Sequence, residues 1–309
     1  MSRNFFKLTV DLLISLALSI LVFQLLELYT EGDRLHYSNY YDAVRDVTAA
    51  EAIELGAIYL SAREPVSLLF LSVGSWLEVP YNIYLSLLNF LLVYLLLFLL
   101  SKHHVKQLDK FFLLTNSYFF VLLLSAERLK IGYIFLFGLF LAGRWLRGVA
   151  AIASFLSHFQ MAITLGSIIV LYLKDFLHSR TASKLLFLCF VFLFLIVFFS
   201  NLDGVISKIV SNYKGFFDIV GFMKILVISL VGLISVKRVS IAISLFPVGL
   251  LALLLGGDRL VMVAYTVLVV FTVASHKTHS KLFRTCNLYF SFKTIFLIYN
   301  VVVYNNAFP

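Results

Sequence analysis

From residue 81 to residue 100 the chain runs YNIYLSLLNFLLVYLLLFLL, twenty residues without a charged side chain. A helix needs about 20 apolar residues to cross the hydrocarbon of a bilayer, with a working range of about 17 to 25, so this segment is sized for a membrane. Similar runs at residues 12–28, 111–126, 131–143, 185–200, 221–236, 239–256, 260–274 and 288–304 bring the candidate spans to nine. Composition closes the soluble alternative: 61% of the 309 residues are hydrophobic and 13% charged, about half the charged fraction of globular proteins. The expected fold is all-α, a polytopic helical membrane protein of about nine to eleven transmembrane helices, because in lipid a helix satisfies its backbone groups within one segment. All of residues 1–309 belong to a single transmembrane domain on this reading. Residues 66–79 are few for a full crossing, and residues 148–173 are interrupted by Ser157, His158 and Gln160. Both read as re-entrant or broken helices.

The net charge of +9 is first a topology signal, since cytoplasmic loops collect Lys and Arg. With the N-terminus inside, Arg3, Lys7, Lys102, Lys106, Lys110, Arg144, Arg147, Lys174, Arg180, Lys184, Lys237, Arg238, Lys277, Lys281 and Arg284 all face the cytoplasm, fifteen of the 25 basic residues. Counting residues 66–79 as a full crossing would turn the basic SKHHVKQLDK loop outward, which the rule disfavours. The charge therefore needs no nucleic acid to explain it. Two cysteines, Cys189 and Cys286, are too few for a disulfide framework or a four-ligand metal site, and neither metal nor cofactor is expected.

The largest polar segment, residues 29–64, is expected outside as an external loop and holds seven of the 16 acids. It reads as one or two short amphipathic helices around DAVRDVTAAEAIELGAIYL, too small for a core of its own. Charged residues near the span ends need a reason, because an ionisable side chain at the bilayer centre costs about 2.5 to 3.5 kcal/mol on insertion scales. On this topology Asp33-Arg34, Arg63-Glu64-Pro65, Glu127-Arg128, His158 and Asp258-Arg259 fall at or near the external face.

Each has a plain structural reading beside the functional one. Glu64, ahead of a proline suited to a first helical turn, is either a charge favoured by the helix dipole or a proton-accepting carboxylate. In SAERLKIG, Arg128 either pairs with Glu127 in a loop or, with little room to reach water, offers its fork to a phosphate. His158 either hydrogen-bonds a neighbouring helix or acts as an acid, base or diphosphate contact at a helix break. Gly256-Gly257-Asp258 suits a tight turn with positive φ, whereas Arg259 opposes the dipole of the next helix and reads as a second phosphate contact. Tyr37, Tyr40 and Tyr41 suit sugar stacking or packing. The sequence has no P-loop, Gly-x-Ser-x-Gly, His-Glu-x-x-His or Asp-x-Asp motif, nor the repeated filter of a channel.

An N-terminal span, an external loop with Asp33, Tyr37 and Tyr40, Arg63-Glu64-Pro65 opening a short apolar helix, Arg128 at a later external turn and His158 in a broken helix come in that order. The order resembles the EpsG-type exopolysaccharide and Wzy-type O-antigen polymerases of bacteria, over residues 10–265. The family commonly follows its arginine with Gln and Gly; here Leu129 and Lys130 precede Ile131 and Gly132, and Phe159-Gln160 follow His158 in place of small or aliphatic residues. The resemblance implies a multi-pass enzyme of the bacterial inner membrane that polymerises undecaprenyl-diphosphate-linked oligosaccharides at the periplasmic face, independent of metal and nucleotide sugar. Its partners would be that lipid-linked substrate, the bilayer and a chain-length regulator protein. It implies Arg128, with Arg259 and Arg63, on the diphosphate, and Glu64 or His158 as general base. Asp33, Arg34, Tyr37, Tyr40 and Asp258 would complete the sugar and diphosphate contacts. An O-antigen ligase and a flippase or transporter of the same lipid-linked oligosaccharide are the alternative functions.

Overall fold

A computed structural model describes residues 3–171, 218–255 and 257–305. Fourteen helices make up the described residues, with no strand among them: α1 (Arg3–Leu28), α2 (Asp33–Ala43), α3 (Ala49–Leu60), α4 (Pro65–Trp76), α5 (Tyr81–Lys102), α6 (Gln107–Leu114), α7 (Ser117–Leu124), α8 (Glu127–Leu141), α9 (Arg144–Ser157), α10 (Phe159–Leu171), α11 (Ile219–Val236), α12 (Val239–Leu255), α13 (Gly257–Ala274) and α14 (Lys281–Tyr304). Four of them, α1, α5, α11 and α14, are long and apolar enough to cross a membrane. The expected span at 185–200 lies outside the described residues.

The protein is a helical membrane protein, and α1 shows the physical signature. Asp11, Ser15, Ser19, Val22 and Leu26 are buried at helical spacing, while Leu12, Leu13, Leu16, Ile20 and Leu21 are exposed. Polar side chains face the other helices and leucines face outward, the inverse of a helix packed in water.

The helices group into two compact units, residues 1–158 with 284–309, and residues 159–283. In the first, α1 lies against α5, α5 against α8 and α8 against α9, while α4 rests on α8 and α9. At one end of this bundle Lys110 Nζ donates to Asp11 Oδ1 at 2.9 Å, and Ser101 bonds both. Asp109 holds Arg284 of α14 through two oxygens, at 2.6 and 3.1 Å. Lys110, expected as a loop cation, is thus buried, because Asp11 on α1 offers it a partner. The run at 111–126 is likewise two helices, not one span: Asn116 breaks it by accepting the Tyr118 N–H at 2.9 Å as the cap of α7.

Segment 29–64 forms two helices, as its amphipathic pattern allows, and they pack on the bundle. Thr48 and Glu51 close a capping box at the start of α3. Tyr40 is fully buried, its hydroxyl 3.2 Å from the Ala52 and Leu68 carbonyls and 3.1 Å from Ser72 Oγ, which stitches α2 to α3 and α4. Tyr41 donates to the Val79 carbonyl at 2.7 Å, and Ser75 donates to the Tyr41 carbonyl at 2.6 Å. The far end of α4 therefore stays beside α2.

In the second unit α11 lies against α12 and α13, and α10 against α12 and α13. Asp218 caps two helices at once, accepting the N–H of Gly221 at 2.8 Å and of Gly257 at 2.5 Å. Gly257 is not the positive-φ turn residue expected from sequence: it is the first residue of α13, and a Cβ on it would lie 2.3 Å from Gly221 Cα. Close backbone approach, not turn geometry, demands this glycine.

Candidate functional site

At the end of the first unit opposite Asp11, four elements bring together residues far apart in sequence. Glu64 is the residue before α4, with Pro65 starting the helix. It is the N-cap residue, where the helix dipole favours its charge, but its side chain makes no capping bond. It pairs instead with the Arg128 guanidinium at the start of α8 through Nη1. Arg128 Nε donates to the Tyr37 hydroxyl of α2 at 3.0 Å, and the guanidinium sits 5.9 Å from the Tyr37 ring centroid. On the other side of Glu64, His158 Nδ1 is 3.3 Å from Oε1.

His158 reaches this point because α9 stops at Ser157 and α10 starts at Phe159. His158 itself is extended, φ −163° and ψ 138°, so the helix is broken there, as expected. The break is prepared by Ser154, which donates to the Gly132 carbonyl of α8 at 2.9 Å, and by Ser157, which donates back to Ser154 at 2.5 Å.

The side chains of Arg128, Glu64 and His158 are 12 to 14% exposed, enough to meet a ligand and little enough to strengthen their electrostatics. Burial pushes the Tyr37 phenol up from its ordinary value, against the pull of Arg128, so it stays a neutral hydroxyl. Arg128 has Nε and Nη1 committed, which leaves Nη2 as the edge to offer an anion. A carboxylate on Nδ1 fixes the imidazole tautomer with Nε2 as the basic nitrogen. The cluster thus combines an anion-binding fork with an oriented acid–base pair.

The other expected site residues are placed differently. Arg34 is buried, with its guanidinium on the Leu26 carbonyl and Asn82 Oδ1, so it ties α2 to α1 and α5. Tyr40 is committed to packing, as described above. Arg63 is exposed and Asp33 half-buried on the flank of α2. Asp258 and Arg259 fall in the first turn of α13 in the second unit, and their side chains lie outside the described residues.

Two residues of the same external turn, neither expected in the site, stand beside the cluster. Glu127 does not pair with Arg128; it is fully buried, as is Lys130, which donates to the Leu123 carbonyl at 3.0 Å. The spacing carried a signal: residues 127 and 130 share one helix face while residue 128 points to another. No family model matches this chain, and no curated protein or solved structure matches it either.

Proposed function

We propose that the protein is a polysaccharide polymerase of the bacterial inner membrane, joining oligosaccharide repeat units carried on a polyprenyl diphosphate, with its site at the external face. The observation that carries this reading is the convergence of Tyr37, Glu64, Arg128 and His158, from four separate elements, at one end of a membrane bundle.

In the reaction, Arg128 binds the diphosphate of the donor through the edge not held by Tyr37 and Glu64. The non-reducing-end hydroxyl of a second repeat unit attacks the sugar carbon bonded to the diphosphate. A new carbon–oxygen bond forms, the carbon–oxygen bond to phosphate breaks, and its electron pair leaves with the diphosphate, whose charge Arg128 stabilises. The hydroxyl proton passes to His158 Nε2, with Glu64 orienting the imidazole and stabilising its charged form. Glu64 thus serves both the arginine and the histidine. The polyprenyl tails run along the leucine-rich outer faces of the helices.

The test uses purified full-length protein in lipid nanodiscs with polyprenyl-diphosphate-linked repeat units as the only substrate. Products longer than one repeat are expected without added metal or nucleotide sugar. Arg128→Ala is expected to lower the rate by about 100-fold or more, the scale for removing one donor from a developing anion. An Arg128→Ala protein that is folded and polymerises at the wild-type rate would remove the basis of the reading.

A further inference from the structure

Immediately before Arg128 in the chain, Glu127 is fully buried, and neither of its carboxyl oxygens has a hydrogen-bond partner. Two buried phenol hydroxyls also lack a hydrogen-bonding side chain among the described residues: Tyr29, just after α1 and facing the Arg34 backbone N–H, and Tyr81, at the start of α5. Glu127 lies within electrostatic reach of both phenols, of Asp33 and Arg34 on α2, and of Lys130 one turn along its own helix. Tyr37 feels Glu127 and Glu64 together. The Arg34 guanidinium is 6.0 Å from the Tyr29 ring centroid and 5.9 Å from that of Tyr81. Both cations are directed elsewhere: Arg34 to Leu26 and Asn82, and Lys130 to Leu123.

A carboxyl removed from water is stabilised by hydrogen-bond donors or else takes up a proton. Among the described residues no other residue donates a hydrogen bond to the Glu127 carboxyl, which has its own backbone N–H beside it. A trapped water, which typically bonds about three otherwise unsatisfied groups, can join a carboxylic acid to two phenols. We propose that Glu127, Tyr29 and Tyr81 form a buried proton site next to the Arg128 cluster, in which Glu127 carries a proton in the resting protein and shares it with trapped water.

Around Glu127 stand Arg34 and Lys130 against Asp33, and once Glu127 carries its proton the fully buried Lys130 loses the carboxylate that favours its charge, so burial turns it toward the neutral amine. The proton site itself does not depend on glycosyl transfer.

The experiment is infrared difference spectroscopy on the purified full-length protein at neutral pH, wild type against Glu127→Gln, in H2O and D2O. A protonated-carboxyl stretching band that shifts in D2O and is lost in Glu127→Gln is the expected result. Tyr81→Phe, which keeps the carboxyl and removes one neighbour, is expected to shift that band and supplies the test if Glu127→Gln does not fold. A spectrum with no such band, or a band indifferent to both substitutions, would overturn the proposal and leave Glu127 as an ionised partner of Lys130 and Arg34. If the band is found but no polymer forms, the proton site stands and the polymerase reading fails.

Discussion

Replacing Arg128 by alanine takes the guanidinium away from a Glu64 side chain that is only 12% exposed. Removing one member of a buried pair costs about 3 to 5 kcal/mol, and slight exposure together with the His158 partner that Glu64 keeps puts this loss at or below ~3 kcal/mol. Arg128→Ala combined with Glu64→Gln leaves no stranded charge, so its melting temperature in detergent should lie above that of Arg128→Ala alone. A lower or equal value would mean that the pair is not what holds α4 to α8. Glu51 offers a separate check. The Thr48 backbone N–H and then the Thr48 hydroxyl, each 2.8 Å from Glu51 Oε2, hold its carboxyl below the ordinary value. Its contribution to α3 is therefore complete above the ordinary carboxylate range and is lost as the pH falls through the folded value. Amide exchange of α3, compared at matched intrinsic rates, should lose protection at low pH in the wild type. Thr48→Ala, which removes the hydroxyl but keeps the backbone N–H, should show part of that loss already at neutral pH; equal protection in both would contradict the capping box.

Helix positions along the chain were legible because apolar run length sets them: α5, α11, α12 and α13 lie within a few residues of where the runs put them. Glu64 before Pro65 and the break at His158 were legible for the same local reason, since proline and an apolar run interrupted by polar residues act within one helical turn. Asn116 was not read as a break, because one polar residue in an apolar run carries no sign of whether its amide caps or merely tolerates the helix. The Asp11–Lys110 and Asp109–Arg284 pairs were hidden because each joins helices distant in sequence, and no periodicity encodes that. Gly257 was noticed for the wrong reason. Gly257→Ala should drive a methyl into the Gly221 backbone and cost about 1 to 3 kcal/mol. Gly138→Ala, where a Cβ meets nothing within 4 Å, should be neutral or stabilising by up to about 1 kcal/mol. Thermal unfolding of the two variants side by side decides it; equal losses would mean that the α11–α13 approach is not tight.

At the scale of the whole molecule, the first unit has a polar cluster at each end, and α1 spans between them. Asp11 and Leu26, whose carbonyl takes Arg34, are separated along that helix by about 22 Å at 1.5 Å per residue, most of the hydrocarbon thickness. The two clusters should therefore lie near opposite faces of the membrane. Cysteines placed at exposed Asp46 and His104 in a background without Cys189 and Cys286 test this with an impermeant thiol reagent on intact cells. Asp46→Cys should react and His104→Cys should not until the membrane is opened; reaction at both from outside would break the topology. The central claim, that Arg128 serves an anionic lipid-linked saccharide, is tested most directly by the gel profile of surface polysaccharide from cells lacking this gene. Restoring the wild-type gene should restore a ladder of polymer lengths, and restoring Arg128→Ala at equal membrane levels should leave a single repeat unit. An unchanged ladder without the gene, or full rescue by Arg128→Ala, would contradict the account.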